Sequence, residues 1–174
     1  MSFTSESIIF VQTTNTDIMK SFTLTTEIKV FAMNELPEND RLLVLEAQKA
    51  TLRSYAPYSH FQVGAAALLE DGTIVTGTNQ ENTAYPSGLC AERTTLFYAN
   101  SQSPDLSIKA LAITARTPDG ELCHTPLTPC GACRQVMVET EKRYGKPMRV
   151  LLCGSEEVYI AESARSLLPL SFDL

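Results

Sequence analysis

The chain has 174 residues, 44% apolar and 20% charged, with a formal net charge of −6 at pH 7, enough for one domain with a full core. That acidic balance, with no run of five basic residues, excludes broad binding to a phosphate backbone, so no nucleic-acid partner is expected. No apolar run reaches the roughly 18 residues of a membrane helix, and the Ser/Thr-rich start MSFTSESIIFVQ lacks a basic n-region and a continuous apolar h-region, so a cytoplasmic protein with no membrane partner is expected.

In chain order, residues 1 to about 20 read as polar and irregular, and Met19 is an alternative start. From Lys20 to Ala32 the pattern alternates, with Phe22, Leu24, Thr26, Ile28, Val30 and Ala32 on one side. That spacing predicts a half-buried strand, either an extra edge strand or an arm to a neighbouring subunit. Residues 1–34 are read as an N-terminal extension to a domain over 35–174. Pro37 to Asp40 opens a helix that runs to about Tyr55 on a stripe of Leu42, Leu45, Ala47, Ala50 and Leu52. FQVGAAALLE, the Asp71-Gly72 turn and TIVTGTNQE predict a β-hairpin. Then come a helix from Cys90 to Asn100, a buried strand from Ile108 (IKALAITA), a loop, and a helix from Cys130 to Tyr144 closed by Gly145. MRVLLC and VYIAE predict two strands, and Ser163 to Leu168 a short last helix. The order predicts a three-layer α/β/α sandwich around a mixed five-stranded sheet. Only Gly154 to Glu157 separates the last two strands, too short for a parallel crossover, so they pair antiparallel.

Five cysteines are an odd number for a disulfide framework, and their spacing suggests a metal or catalysis. Cys130 and Cys133 lie three apart in the first turn of a helix, with Pro129 just before them, and their sulfurs point to one side. Cys90 also starts a helix, after the Pro86-Ser87-Gly88 turn. Helix N-termini favour thiolate over thiol, and three converging thiolates suit tetrahedral zinc with one position left open. Three thiolates more than neutralise a divalent cation, so positive charge beside them is needed if the metal is to acidify water. Arg93 and Arg134 are the candidates, with Arg93 favoured as the residue behind the ligands. Glu92, two residues from Cys90, is placed to move protons.

Plainer readings exist for each of these residues. Cys123 and Cys153 read as small buried hydrophobes, and His60 and His124 as exposed loop residues. A Cys-x-x-Cys pair alone also fits a thioredoxin-like redox site, or half of a structural zinc site completed by His124 or Cys123. The three cysteines together with Glu92 favour the catalytic arrangement.

Cys-Ala-Glu at Cys90 followed by Pro-Cys-x-x-Cys at Pro129 resembles the signature of zinc-dependent nucleoside and nucleobase deaminases. The chain resembles the small homotetrameric cytidine deaminases more closely, through YSHFQVGAAALL at Tyr58, NQENTAYPSGLCAERT at Asn79, TPCGACRQVM at Thr128 and LLPLSF at Leu167. These stretches span about Ser54 to Phe172. The resemblance implies hydrolytic deamination of cytidine and deoxycytidine to uridine and deoxyuridine, with release of ammonia, in pyrimidine salvage. It implies one Zn2+ per subunit on Cys90, Cys130 and Cys133, and Glu92 as proton shuttle. It implies Asn79 and Glu81 on the ribose hydroxyls, Phe61 against the pyrimidine, the Ala91 backbone at its carbonyl, and Tyr85 and Phe172 completing a neighbour's pocket in a homotetramer.

Four features depart from the patterns of the superfamily and its branches. The first ligand is Cys rather than the His of the deoxycytidylate and polynucleotide-editing branches, and the Gly154–Glu157 turn lacks room for the helix those branches carry there. Thr128 stands where Ser is common, and the first 34 residues have no counterpart. A blasticidin-type deaminase is the nearest rival, but there an apolar residue replaces Arg93 and the ribose pair is absent. A non-catalytic zinc or redox module built on Cys130 and Cys133 is the rival from another class, and it gives Glu92 no role.

Overall fold

The computed structural model describes Val11, Gln12 and residues 21–173; the alternative start at Met19 lies outside the described residues. Strands β1 (Val11–Gln12) and β2 (Ser21–Phe22) form a separate two-stranded ladder. The main sheet holds β3 (Lys29–Ala32), β4 (Gln62–Leu69), β5 (Ile74–Thr78), β6 (Ile108–Arg116), β7 (Arg149–Cys153) and β8 (Glu157–Ala161) in the order β3-β8-β7-β6-β4-β5. It therefore has six strands rather than the five read from the sequence, because Lys29–Ala32 adds to its edge antiparallel to β8. The alternation seen over 20–32 yields ladder pairing only at its two ends. As the short turn requires, β7 and β8 are antiparallel, and β6 and β7 are parallel.

Helix α1 (Glu38–Thr51) follows Pro37, carries Glu38 and Asp40 in its first turn and Lys49 in its last, and so matches its charges to its dipole. It buries Leu43, Val44 and Ala47 against Ala66, Ala110, Ala112, Leu151 and Ile160 on one sheet face. The opposite face packs Ala65, Ala67, Leu111, Ile113, Val150 and Leu152 beneath α2 (Ala91–Gln102) and α3 (Gly131–Tyr144). The run Ala65-Ala66-Ala67 is fully buried because helices cover this strand on both sides, so it reads as continuously apolar. Gly64 lets α1 sit close: a Cβ there would lie 2.3 Å from the Ala47 carbonyl oxygen. The segment from Ser163 to Leu168 is a 3₁₀ turn over Ala164–Leu167 rather than an α-helix. Among the described residues no helix is long and apolar enough to cross a membrane.

Topology fixes where the helix ends fall. Strands β5 and β6 are both antiparallel to β4 and therefore run the same way. Each leads through a loop into a helix on the same face, α2 after β5 and α3 after β6. The N-termini of α2 and α3 consequently meet at one end of the sheet, outside the carboxyl ends of those strands, where α/β sheets bind ligands.

Candidate active site

Cys90 is the N-cap of α2 and Cys130 the N-cap of α3, so both helices begin one residue later than the periodicity suggests. Cys90 Sγ lies 3.9 Å from Cys130 Sγ, and Cys130 Sγ lies 3.5 Å from Cys133 Sγ. All three sulfurs fall within 4.8 Å of one another, and none is in a disulfide. Zinc–thiolate bonds of about 2.3 Å in a tetrahedron put sulfurs about 3.8 Å apart. The residues present fit zinc, with Cys133 fully buried behind the more open Cys90 and Cys130.

The surroundings favour negative charge on Cys90 and oppose it on Cys133. A hydrogen bond from the Cys133 thiol, and then the Arg93 guanidinium, hold Cys90 down at about 5, against its burial. The same bond, with burial and the Glu92 carboxylate, pushes Cys133 up. Arg93 Nη2 donates to Cys90 Sγ over 3.8 Å, and its Nε is buried with no hydrogen-bond partner among the described residues. Arg134 plays a different part: Nε donates to the Pro129 carbonyl at 2.8 Å and Nη1 to the Leu167 carbonyl at 3.0 Å. Of the two arginines, Arg93 is the one whose charge reaches the sulfurs. Glu92 is 4% exposed, and burial, followed by the Cys90 charge, pushes its carboxyl up.

A cavity of about 710 Å³ opens in front of the sulfurs, and Phe61, Asn79, Glu81, Tyr85, Cys90, Glu92, Arg93 and Cys130 are among the residues on its wall. Among the described residues, Arg93 is the only cation on its wall. Ala91 is buried beneath this wall, and Phe172 stands away from it, 71% exposed, its backbone held by two hydrogen bonds to the Gln135 side chain. Tyr85 is 82% exposed at the rim. Asn79 Oδ1 accepts from Ser54 Oγ at 2.5 Å and from Val63 N–H at 2.8 Å, while Nδ2 donates to the Phe61 carbonyl at 2.9 Å. Glu81 accepts from the turn at Tyr58 and Ser59, and those bonds, Ser59 Oγ first, hold its carboxyl below the ordinary glutamate range. Ser54, Ser59, Leu127 and Gln80 are site neighbours that sequence reasoning missed, since a lone serine near a turn carries no spacing signal. His60 and His124 are exposed, Cys153 is buried, and Cys123 is half-buried.

Residues 37–144 match the family model described as "Cytidine and deoxycytidylate deaminase zinc-binding region". The chain is 52% identical over 97 residues to the cytidine deaminase of Sporosarcina psychrophila, covering 56% of this chain and 66% of that protein. It is 46% identical over 99 residues to the cytidine deaminase of Halalkalibacterium halodurans, covering 57% and 70%. The crystal structure of cytidine deaminase from Burkholderia pseudomallei superposes with a TM-score of 0.63 at 40% identity, covering 75% of this chain and 97% of that one.

Proposed function

This chain belongs to the cytidine and deoxycytidylate deaminase family, and from that premise we propose that it hydrolyses cytidine and deoxycytidine to uridine and deoxyuridine, releasing ammonia. The observation that carries this is one wall of one cavity holding Cys90, Cys130, Glu92 and Arg93 together, with Asn79 and Glu81 across it.

Cys90, Cys130 and Cys133 hold the metal. Bound zinc supplies Lewis-acid activation of a water for attack at the amine-bearing carbon of the ring. Glu92 would take one proton from that water and deliver it to the ring nitrogen N3. It would then take the second from the hydroxyl newly bonded to the amine-bearing carbon and deliver it to the departing amine as the carbon–nitrogen bond breaks, roles its place on the cavity wall permits. Arg93 offsets excess thiolate charge by donating to Cys90. Phe61 packs against the pyrimidine, the Ala91 backbone holds the ring carbonyl, and Asn79 and Glu81 hold the sugar hydroxyls. A wall whose single cation among the described residues is already committed to Cys90 supports a neutral nucleoside substrate over a nucleotide or polynucleotide.

The functional unit is a homotetramer in which Tyr85 and Phe172, both strongly exposed in the isolated chain, complete a neighbouring cavity. The protein works in the cytoplasm in pyrimidine salvage, and residues 1–34 are an N-terminal extension to the catalytic domain, with Lys29–Ala32 paired to the edge of the main sheet. Analytical ultracentrifugation giving the mass of a single 19.1 kDa chain would overturn the tetramer. Cell fractionation, and growth of a pyrimidine-requiring strain on cytidine, test location and pathway.

The deciding experiment is ammonia release from cytidine, deoxycytidine, CMP, adenosine and blasticidin S, before and after prolonged chelation. Activity on the two cytosine nucleosides, lost on chelation and restored by zinc, is the expected result. Activity on blasticidin S alone, or zinc retained with no turnover of any of the five, would overturn the reading.

A further inference from the structure

The turn between α1 and β4 has the candidate sugar-binding carboxylate at its centre. Tyr58 N–H and Ser59 N–H donate to Glu81 Oε2 at 2.8 and 3.3 Å, and Ser59 Oγ donates to Oε1 at 2.5 Å. The same Ser59 Oγ accepts the Phe61 N–H at 3.0 Å. The turn is closed by His60 N–H donating to the Ala56 carbonyl at 3.0 Å, with His60 at φ 58°, in the left-handed region. That conformation, uncommon for a residue with a side chain, folds the backbone so that the Phe61 amide returns to the Ser59 hydroxyl.

The division of bonds on Glu81 gives Ser59 a particular role. Oε2 accepts two backbone N–H groups and so uses both of its lone pairs, which makes that oxygen a fixed pivot. Among the described residues Oε1 accepts from Ser59 alone, which leaves it one acceptor position for a hydroxyl bound in the cavity that Glu81 lines. Without the Ser59 hydroxyl, Oε1 is free to rotate about the pivot, and its open position is no longer aimed. Asn79, by contrast, is held at Oδ1 by Ser54 and Val63, to which no hydrogen bond from Ser59 runs among the described residues, while Nδ2 donates to the carbonyl of Phe61, whose own N–H bonds Ser59.

We propose that Ser59 is a positioning residue for substrate recognition: its hydroxyl joins Glu81 Oε1 to the Phe61 backbone, and so fixes the sugar-binding carboxylate relative to the aromatic that packs on the base. This rests on the function proposed above. Ser59 touches neither the sulfurs nor Glu92, so its effect falls on sugar recognition rather than on proton transfer.

The test compares cytidine with 2′,3′-dideoxycytidine, which lacks the ring hydroxyls, on the zinc-loaded full chain. Ser59→Ala is expected to raise KM for cytidine about tenfold, the scale of one misaligned charge-assisted hydrogen bond, with kcat within about twofold. The ratio of kcat/KM for cytidine over the dideoxy analogue falls about tenfold, and Ser59→Thr, which keeps the hydroxyl, recovers most of it. In a Glu81→Gln background, Ser59→Ala adds less than about twofold, since the two substitutions act through one contact. An unchanged ratio, a loss carried in kcat, or effects that add fully with Glu81→Gln overturn the proposal. Should Ser59→Ala not fold, Ser59→Cys, of similar size with a weak donor, carries the same expectation. A wild-type protein inactive on cytidine sinks the functional reading itself, whereas an active wild type with an unchanged ratio sinks only the role of Ser59.

Discussion

At the end of the sheet where the sulfurs lie, the two covering layers present opposite polarities. Above one face α2 and α3 offer two N-termini, capped by Cys90 and Cys130. Above the other face α1 offers its C-terminus at Thr51, where Arg116, the last residue of β6, donates from Nε to Thr51 Oγ1 at 2.9 Å. Both layers cover an apolar sheet face, yet only one can hold converging anions, because helix N-termini favour negative charge and C-termini favour cations such as Arg116. Chemistry and stability are thereby separated: side chains of the α2–α3 layer reach the cavity, and those of α1 mainly seal the core.

That separation can be tested from both sides. Glu92→Gln is expected to lower turnover by about a hundredfold to ten-thousandfold while metal content stays at one zinc per chain; ammonia release and a zinc assay on the same sample check it. Persisting turnover removes Glu92 from the mechanism. On the other layer, Leu43→Ala in fully buried α1 packing is expected to cost about 2–5 kcal/mol in urea unfolding, with kcat per folded molecule unchanged. A parallel loss of kcat would mean that the two layers are coupled.

Gly64→Ala sharpens the comparison. Its new methyl would meet α1 backbone, 2.3 Å from the Ala47 carbonyl oxygen and 2.7 Å from the Thr51 nitrogen, and backbone cannot swing aside as a flexible side-chain tip can. About 1–3 kcal/mol of destabilisation is expected, against less than about 0.5 kcal/mol for Gly131→Ala, where nothing lies within 4 Å. Equal midpoints for these two variants in urea unfolding would contradict the close approach of α1.

The smallest effect lies at the sheet edge. Lys29 Nζ contacts Glu162 Oε1 at 2.8 Å and holds that carboxyl below its ordinary 4.5. A depressed carboxyl stabilises the fold above its unfolded value and loses that contribution as pH falls through its folded value. The difference in urea midpoint between wild type and Lys29→Met should therefore be small at neutral pH, shrink in acid, and shrink in high salt, because both groups are about half exposed. A gap that widens in acid would reverse this assignment.

The parts of the molecule that could be read from sequence are those governed by local pattern. The Asp71-Gly72 turn gave the hairpin, the run IKALAITA the central strand, and the four-residue turn the antiparallel β7–β8 pair. Cys90 and Cys130 could be brought together because each begins a helix and thiolates seek a common cation. Pairing between β3 and β8 could not be read, because no local signal specifies a partner at the far end of the chain. The direction of Arg134 was equally hidden: adjacent to Cys133 in sequence, it turns along α3 to serve two carbonyls. Ser54 and Ser59 acquire meaning only when the turn closes over Asn79 and Glu81.

The pairing of β3 with β8 also has a consequence in time. Lys29 and Glu162, which meet at this edge, are 133 residues apart. At a synthesis rate of about 5–20 residues per second, Lys29–Ala32 exists for roughly 7–27 s before its partner strand has been made. The segment that completes the sheet is thus translated well before β8 and cannot dock until β8 exists, and through that interval its apolar residues, Val30 and Phe31, are open to whatever else the ribosome's surroundings offer.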